Sequence, residues 1–172
     1  MCFHLLLASP LTLSEVRAML PSGLAADLLG AAEQRLFRRI MPEAHTVARL
    51  VHGACSCDLV VDRQPTARED EAWLRRRYRA LGLTRDQMIR ALEAHRQAGE
   101  RPRRPAGHWP QAVARFVAEH ARNAGATLYY LHFAHDGTLQ ALPAGAPVAL
   151  NPAQVIAEPE TWLPEGRLVR VA

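Results

Sequence analysis

The segment His52-Gly53-Ala54-Cys55-Ser56-Cys57-Asp58 places two thiols, an imidazole and a carboxylate within seven residues of a chain that has only three cysteines. In an extended strand, alternate side chains point to the same side, so Cys55 and Cys57 would share one face. Their Cα atoms would lie about 6.6 Å apart, at about 3.3 Å per residue. Two sulfurs placed in this way can bind one soft metal ion together or form a redox pair.

Further sulfur and nitrogen ligands occur on two other predicted strands, the first of which carries Cys2 and His4 on one face. The predicted metal ligands are therefore Cys55, Cys57, Cys2, His4, His132 and His52. Mixed cysteine and histidine ligation suits zinc, or copper(I) where thiolates dominate. The chain has no second cysteine pair, so the usual pattern of a structural zinc site is absent.

Two other interpretations of the cysteines stay open. Cysteine is among the most buried residue types, so Cys55 and Cys57 would also fit plain core packing beside their apolar neighbours. A reactive thiol needs a nearby cation or a histidine base, and only a bulge at Gly53 would bring His52 to the cysteines. After removal of the first methionine, Cys2 would be an N-terminal nucleophile with its own α-amine as base.

A third group of candidate residues lies at a predicted hairpin turn. His132, His135 and Asp136 would form an acid–base pair or a set of metal ligands if they converge. Asp136 followed by Gly137 is also a typical hairpin turn, with a solvated histidine beside it. We favour this simpler interpretation.

The basic residues are unevenly distributed along the chain. All 21 are arginine, and the formal net charge is +4. Residues 63–104 contain twelve arginines against six acidic residues. A basic segment of this kind indicates either an anionic partner, such as nucleic acid, or the solvated faces of two helices.

Residues 69–98 resemble a helix-turn-helix, with Gly82 in the turn and Thr84 at the start of the second helix. The residues expected to contact phosphates and base edges are Arg75, Arg76, Arg79, Arg85, Gln87 and Arg90. The motif usually has a small residue four positions before the turn glycine, where this chain has Tyr78. We expect this bulky side chain to spread the two helices apart.

Hydrophobic periodicity and turn residues predict the remaining elements. The predicted strands cover residues 2–8, 46–61, 127–134, 138–142 and 167–171, and the last is expected at an edge of the sheet. The predicted helices cover residues 13–20, 24–40, 70–82, 84–98 and 110–123, and residues 143–164 are expected to wrap the surface. This order favours an α+β fold, with a mostly antiparallel sheet and helices packed on one face.

The length of the chain predicts one globular domain, residues 1–172, with an Arg/Pro linker near 100–107 between the helical segment and the C-terminal hairpin. No glycine-rich turn follows the first strand, so the chain carries no nucleotide cofactor signature. No apolar run approaches the roughly 18 residues that cross a bilayer, so no membrane association is expected. The odd number of cysteines and the lack of a secretion signal predict a cytoplasmic location.

The leading functional prediction is a cytosolic protein whose Cys/His site, with Cys-x-Cys on a strand, binds zinc or copper or carries out thiol redox chemistry. The alternative is a regulatory or interaction module that contacts nucleic acid or an acidic protein through residues 68–104. A scaffold domain without chemistry is a third possibility. The sequence does not decide whether the protein is an enzyme.

Overall fold

The computed structural model describes residues 2–53, 56, 59, 67–99, 109–134 and 139–172, and for Cys2 and some helical residues the description covers the backbone alone. The strands are β1 (Cys2–Ser9), β2 (Leu24–Leu28), β3 (Thr46–His52), β4 (Thr127–Ala134), β5 (Val148–Leu150) and β6 (Leu168–Val171). The helices are α1 (Leu13–Met19), α2 (Ala31–Arg38), α3 (Ala67–Ala80), α4 (Arg85–Gly99), α5 (Trp109–Ala124) and α6 (Pro152–Ala157).

The six strands form one sheet in the order β2-β3-β1-β4-β6-β5. The neighbouring pairs are antiparallel apart from β5 and β6, which run parallel. The predicted α+β class with a mostly antiparallel sheet is therefore confirmed.

The chain divides into two compact units. One unit consists of Met1–Val61 together with Ala106–Ala172 and contains the whole sheet. The other unit is Asp62–Pro105 and contains α3 and α4. The single domain stays a prediction, and the predicted linker near 100–107 lies outside the described residues.

Strand β1 lies in the middle of the sheet because its apolar side chains are buried on both faces. Leu5 and Leu7 pack on the face covered by α1, α5 and α6, which we call the α5 face. Leu6 and Ala8 pack on the opposite face, where α2 contributes Phe37, and we call this the α2 face. The alternation along β1 sets which of its polar side chains reach each face.

Thr12 and Glu15 cap the start of α1. The Thr12 hydroxyl accepts from the Glu15 backbone N–H, and the Glu15 carboxylate accepts from the Thr12 backbone N–H at 2.7 Å. Such a capping box satisfies two backbone donors that the first helical turn leaves without partners.

The predicted helix over residues 24–40 is wrong in its first part. Leu24–Leu28 is the edge strand β2, which pairs with β3. Gly30 has an extended backbone and is the N-cap of α2, with Glu33 bonded to its N–H. The apolar spacing that suggested one helix therefore belongs to two elements, an edge strand and a separate short helix.

The strand predicted over residues 46–61 ends at His52. Gly53 has a φ of +66°, a left-handed conformation that glycine adopts without strain, and it lies in a turn. Beyond it, the Ser56 backbone N–H donates to the Phe3 carbonyl of β1 at 3.1 Å. The chain thus leaves the regular register at Gly53, where the sequence indicates a bulge.

The C-terminal region also differs from the prediction. Residues 139–142 do not form a returning strand, and β4 pairs with β6 instead. Strand β6 is not at the edge because β5 lies beyond it. Residues 143–164 contain β5 and α6, and α6 begins at the Asn151 cap with Gln154 completing a capping box. Residues 135–137, with the predicted acid–base pair and hairpin turn, lie outside the described residues.

Candidate functional site

Three of the six predicted metal ligands have side chains outside the described residues: Cys55, Cys57 and Cys2. The three histidines, His4, His132 and His52, are described. The structure brings two of these together and places the third on the other face of the sheet.

His4 and His132 lie directly opposite each other on the antiparallel strands β1 and β4. Side chains so paired have Cβ atoms about 4.5–5.5 Å apart. His4 shares the α2 face with Leu6 and is 5% exposed. The His132 ring stacks on the Tyr130 ring, with centroids 5.7 Å apart. The predicted convergence of histidines from two strands is present for this pair.

Arg49 of β3 also reaches this pair of histidines. Its Nη1 lies 3.4 Å from His4 Nδ1. A guanidinium group only donates hydrogen bonds, so His4 Nδ1 accepts this one. The ring proton of neutral His4 then lies on Nε2, and a fixed positive charge stands beside the ring. Both features disfavour a metal cation at His4.

His52 is oriented away from the other two histidines. It ends β3 opposite Leu24 of β2, and its ring centroid lies 4.7 Å from that of Trp109 at the start of α5. Because side chains alternate along β3, His52 shares the α5 face with Leu50 and not the face of Arg49. Within the described residues, no three His, Cys, Asp or Glu side chains are placed to hold a metal ion.

Ser56, the residue between the two cysteines in sequence, is fixed to the sheet by its side chain. Its hydroxyl accepts from the Leu5 N–H at 2.8 Å and donates to the Leu50 carbonyl. The side chain is fully buried. The Ser56 hydroxyl therefore bonds the Leu5 backbone N–H in place of a backbone carbonyl from a neighbouring strand. Leu5 follows His4 on β1.

The turn between α3 and α4 has the geometry of a helix C-terminus closed by glycine. Gly82 has a φ of +73°, and its N–H donates to the Arg79 carbonyl at 3.0 Å. The Leu83 N–H reaches back to the Tyr78 carbonyl at 3.1 Å. These two bonds form a Schellman motif, which stops α3 and reverses the chain.

The start of α4 follows immediately after this turn. The Thr84 N–H donates to the Gln87 side-chain carbonyl at 2.9 Å, and the Gln87 N–H lies 3.4 Å from the Thr84 hydroxyl. Thr84 and Gln87 therefore cap the start of α4. A helix, a short turn and a capped second helix follow each other, as in the helix-turn-helix that the sequence resembles.

The six predicted nucleic-acid contacts are all solvent-exposed: Arg75, Arg76, Arg79, Arg85, Gln87 and Arg90. The inner positions Leu74, Tyr78 and Leu92 are buried. Leu81, directly after α3, is 42% exposed. Each helix thus has an apolar inner stripe and a basic outer surface. Tyr78 lies on the inner stripe.

A buried polar network on the α5 face contains a serine, a histidine and a tyrosine, residue types that often act in catalysis. They were not predicted as a site from the sequence. The Ser9 hydroxyl lies 2.8 Å from His120 Nε2, and His120 Nδ1 lies 2.7 Å from the Tyr129 hydroxyl. The Leu11 N–H donates to the Ser9 hydroxyl at 3.0 Å. The only sequence signal was a histidine at an inner position of a predicted helix.

This network joins α5 to β1 and β4 and is closed to solvent, since Ser9, His120 and Tyr129 are all 0% exposed. Burial lowers the pKa of His120 to about 4 and raises the pKa of Tyr129 far above its usual range. The arrangement resembles an acid–base relay in residue types, but no substrate can reach a fully buried hydroxyl. Its role is to fix α5 on the sheet.

One small cavity opens on the α5 face. It has a volume of about 60 Å³ and is lined mainly by apolar side chains of Leu5, Leu59, Val113, Leu131 and Trp162, with Glu160 among the lining residues. Ligand sites usually occupy about 300–1,000 Å³. This cavity is too small to act as a substrate pocket.

Comparisons of the chain with known protein families, with curated proteins and with solved structures found no match. In the part of the chain that is described, no helix is both long and apolar enough to cross a membrane.

Proposed function

We propose that the protein is a binding module that contacts duplex nucleic acid through the exposed outer surface of α3 and α4. The observation that carries this proposal is the exposure of all six predicted contact residues on two helices joined by a four-residue turn, Leu81-Gly82-Leu83-Thr84. Side chains of this kind neutralise phosphates and reach base edges when a helix lies in the major groove.

The charges on these helices support an anionic partner. Among the side chains that are described between residues 74 and 93, five exposed arginines stand against two exposed acids, Asp86 and Glu93. Arg75, Arg76 and Arg79 lie on α3, on the side away from Leu74, where they suit phosphate contacts.

The second helix presents a different combination of groups. Arg85, Gln87 and Arg90 lie in its first two turns, and this is the part of a recognition helix that contacts bases. An arginine can bond a guanine edge with two hydrogen bonds, and a glutamine can do the same with adenine. We therefore assign phosphate contacts to α3 and base contacts to α4.

The test is binding of the full chain to duplex DNA at increasing salt concentration. Each lost phosphate contact reduces the slope of log K against log salt by about 0.9. The variant R75Q/R76Q/R79Q should therefore bind more weakly on all sequences, with the slope reduced by up to about 2.7. The variant R85Q/Q87A/R90Q should mainly lose discrimination between sequences.

A matched control removes three equally exposed helical arginines from the other unit: Arg35, Arg115 and Arg122. The variant R35Q/R115Q/R122Q loses the same net charge, so similar weakening would mean that binding follows total charge only. Retention on polyglutamate but not on DNA would identify an acidic protein partner instead. Circular dichroism checks that the α3 and α4 helices remain folded.

A thiol function at Cys55 and Cys57 is the second candidate, favoured by the anchoring of Ser56 beside β1. Of its two forms, we favour thiol redox chemistry over zinc or copper binding, because the Arg49 guanidinium next to His4 stabilises anions and repels cations. In this reaction two thiols would reduce a disulfide substrate to two thiols and themselves become a disulfide. A Cys-x-Cys disulfide closes a small strained ring and is easily reduced.

Metal content and thiol titration of protein purified under reducing conditions without chelator test this second candidate. A metal-free protein with fast-reacting thiols that are lost in the variants C55S and C57S supports redox chemistry. Stoichiometric zinc or copper with protected thiols supports a metal site. Thiols that react only after denaturation, in a protein without metal, would exclude both thiol redox chemistry and metal binding. A cytoplasmic location is part of the proposal, because an odd number of cysteines suits a reducing compartment.

A further inference from the structure

In the described part of the chain, no carboxylate bonds the guanidinium group of Arg49 on the α2 face. Its Nε is buried and has no hydrogen-bond partner in the described part of the chain. Its Nη1 donates to His4 Nδ1 at 3.4 Å. A neutral imidazole accepts a hydrogen bond but supplies no negative charge. A buried donor without a partner destabilises the native state, and more strongly when the group is charged.

Among the described residues, Asp27 is a candidate counter-ion by its position. It lies opposite Arg49 in the register of β2 and β3, on the same face of the sheet. Its side chain is exposed, however, and no carboxylate among the described residues bonds Arg49 Nε. The half-buried guanidinium therefore has capacity for another acceptor.

The other groups around this position are also suited to contact an anion. His4 and His132 lie opposite each other on the adjacent strands, and the hydroxyl-bearing ring of Tyr130 stacks on His132. Imidazole nitrogens can donate hydrogen bonds to an oxyanion, and arginine is the residue that most often binds carboxylates and phosphates with two parallel bonds. The set comes from three neighbouring strands, so its spacing is fixed by the sheet.

We propose that Arg49, with His4 and His132, forms a binding site for a small oxyanion, either a carboxylate or a phosphate group of a ligand. The anion contacts the accessible part of the half-buried guanidinium and balances its charge. The site lies on the sheet and is independent of the nucleic-acid surface on α3 and α4.

Thermal unfolding and isothermal titration with inorganic phosphate, acetate and chloride at equal ionic strength test this site. We expect saturable binding and a rise in the melting temperature with phosphate or acetate but not with chloride. Stronger binding of one of the two anions identifies the ligand group. The variant R49Q should weaken binding by about 10- to 100-fold, the cost of losing a charged hydrogen-bonding partner.

The matched control is R170Q, which removes an exposed arginine from β6 on the same sheet. This variant should bind as the wild type does. If R49Q fails to fold, nitrogen-detected NMR of the wild-type histidine rings provides a second readout, with His4 and His132 assigned from the variants H4Q and H132Q. The anion should shift the signals of these two rings and leave the buried His120 ring unchanged. Equal effects of chloride, unchanged binding in R49Q or unchanged signals of His4 and His132 would overturn the proposal.

Discussion

Acid should destabilise this protein through His120, and the effect can be calculated from its environment. The ring is 0% exposed and bonded at both nitrogens, and burial lowers its pKa from 6.5 to about 4. In the unfolded chain the imidazole binds a proton below about pH 6.5, its ordinary pKa. Between these two values the unfolded state holds one more proton than the native state, so stability falls as the pH falls.

The size of the effect follows from the difference between the two pKa values. A difference of about 2.5 units corresponds to about 3 kcal/mol, at about 1.4 kcal/mol per unit. The stabilisation is fully present above about pH 6.5 and is lost as the pH falls through the native pKa of about 4. For a domain with about 5–15 kcal/mol of total stability, this loss is large.

Urea unfolding of the wild type and of H120Q across this pH range measures the effect. H120Q will be less stable at neutral pH, because the hydroxyls of Ser9 and Tyr129 lose their partner. As the pH falls from about 6.5 to about 4, the free energy of unfolding of H120Q should nevertheless decrease by about 3 kcal/mol less than that of the wild type. The variant H45Q removes an exposed histidine and should keep the wild-type slope.

Carboxylates that titrate in the same range contribute equally to both proteins, so only the difference between the two curves is attributed to His120. Parallel curves for the wild type and H120Q would refute the reasoning. If H120Q does not fold, NMR of the wild-type ring gives the same information. The ring must then remain neutral at about pH 5, a pH at which an exposed histidine is protonated.

Three further substitutions test individual contacts by urea unfolding of the full chain. S56A removes the buried hydroxyl that bonds Leu5 N and Leu50 O and should cost about 2 kcal/mol, whereas S56T, which keeps a hydroxyl, should cost less; an unchanged stability of S56A would contradict this anchoring. G82A places a side chain at a φ of +73° and should cost about 1–2 kcal/mol, while G82N should be tolerated better. T12A removes the α1 cap and should cost about 1 kcal/mol, and T12S should restore most of it.

Elements specified by local interactions were predicted from the sequence. The α1 cap depends on two residues three positions apart, and the stop of α5 depends on Gly125 with a φ of +83°. Strands β1 and β4 are mostly apolar or aromatic because they lie inside the sheet. In each case the signal lies within a few residues of the element that it defines.

Elements that depend on distant partners were not predicted. Leu24–Leu28 is a strand because it pairs with β3, while Leu28 itself is 55% exposed, and its apolar spacing also matched a helix. Strand β5 has only three residues and exists through parallel pairing with β6. The hydrophobic periodicity of the sequence does not show which strands pair, and these two elements form because of their tertiary contacts.

The candidate sites show the same division. Exposed arginines on α3 and α4 were predicted because helical periodicity separates the inner and outer positions of one helix. The pairing of His4 with His132, and the arrival of Arg49 beside them, depends on the register of three strands. The network of His120 requires three separate elements, and in the sequence its members are up to 120 positions apart.

Salt-dependent binding of duplex DNA to the full chain is the most direct test of the proposed nucleic-acid surface. We expect affinity that falls steeply with salt, a slope reduced by up to about 2.7 in R75Q/R76Q/R79Q, and wild-type behaviour in R35Q/R115Q/R122Q. No retention of the wild type on DNA at low salt, or equal weakening in both triple variants, would contradict the assignment of this surface to nucleic-acid binding.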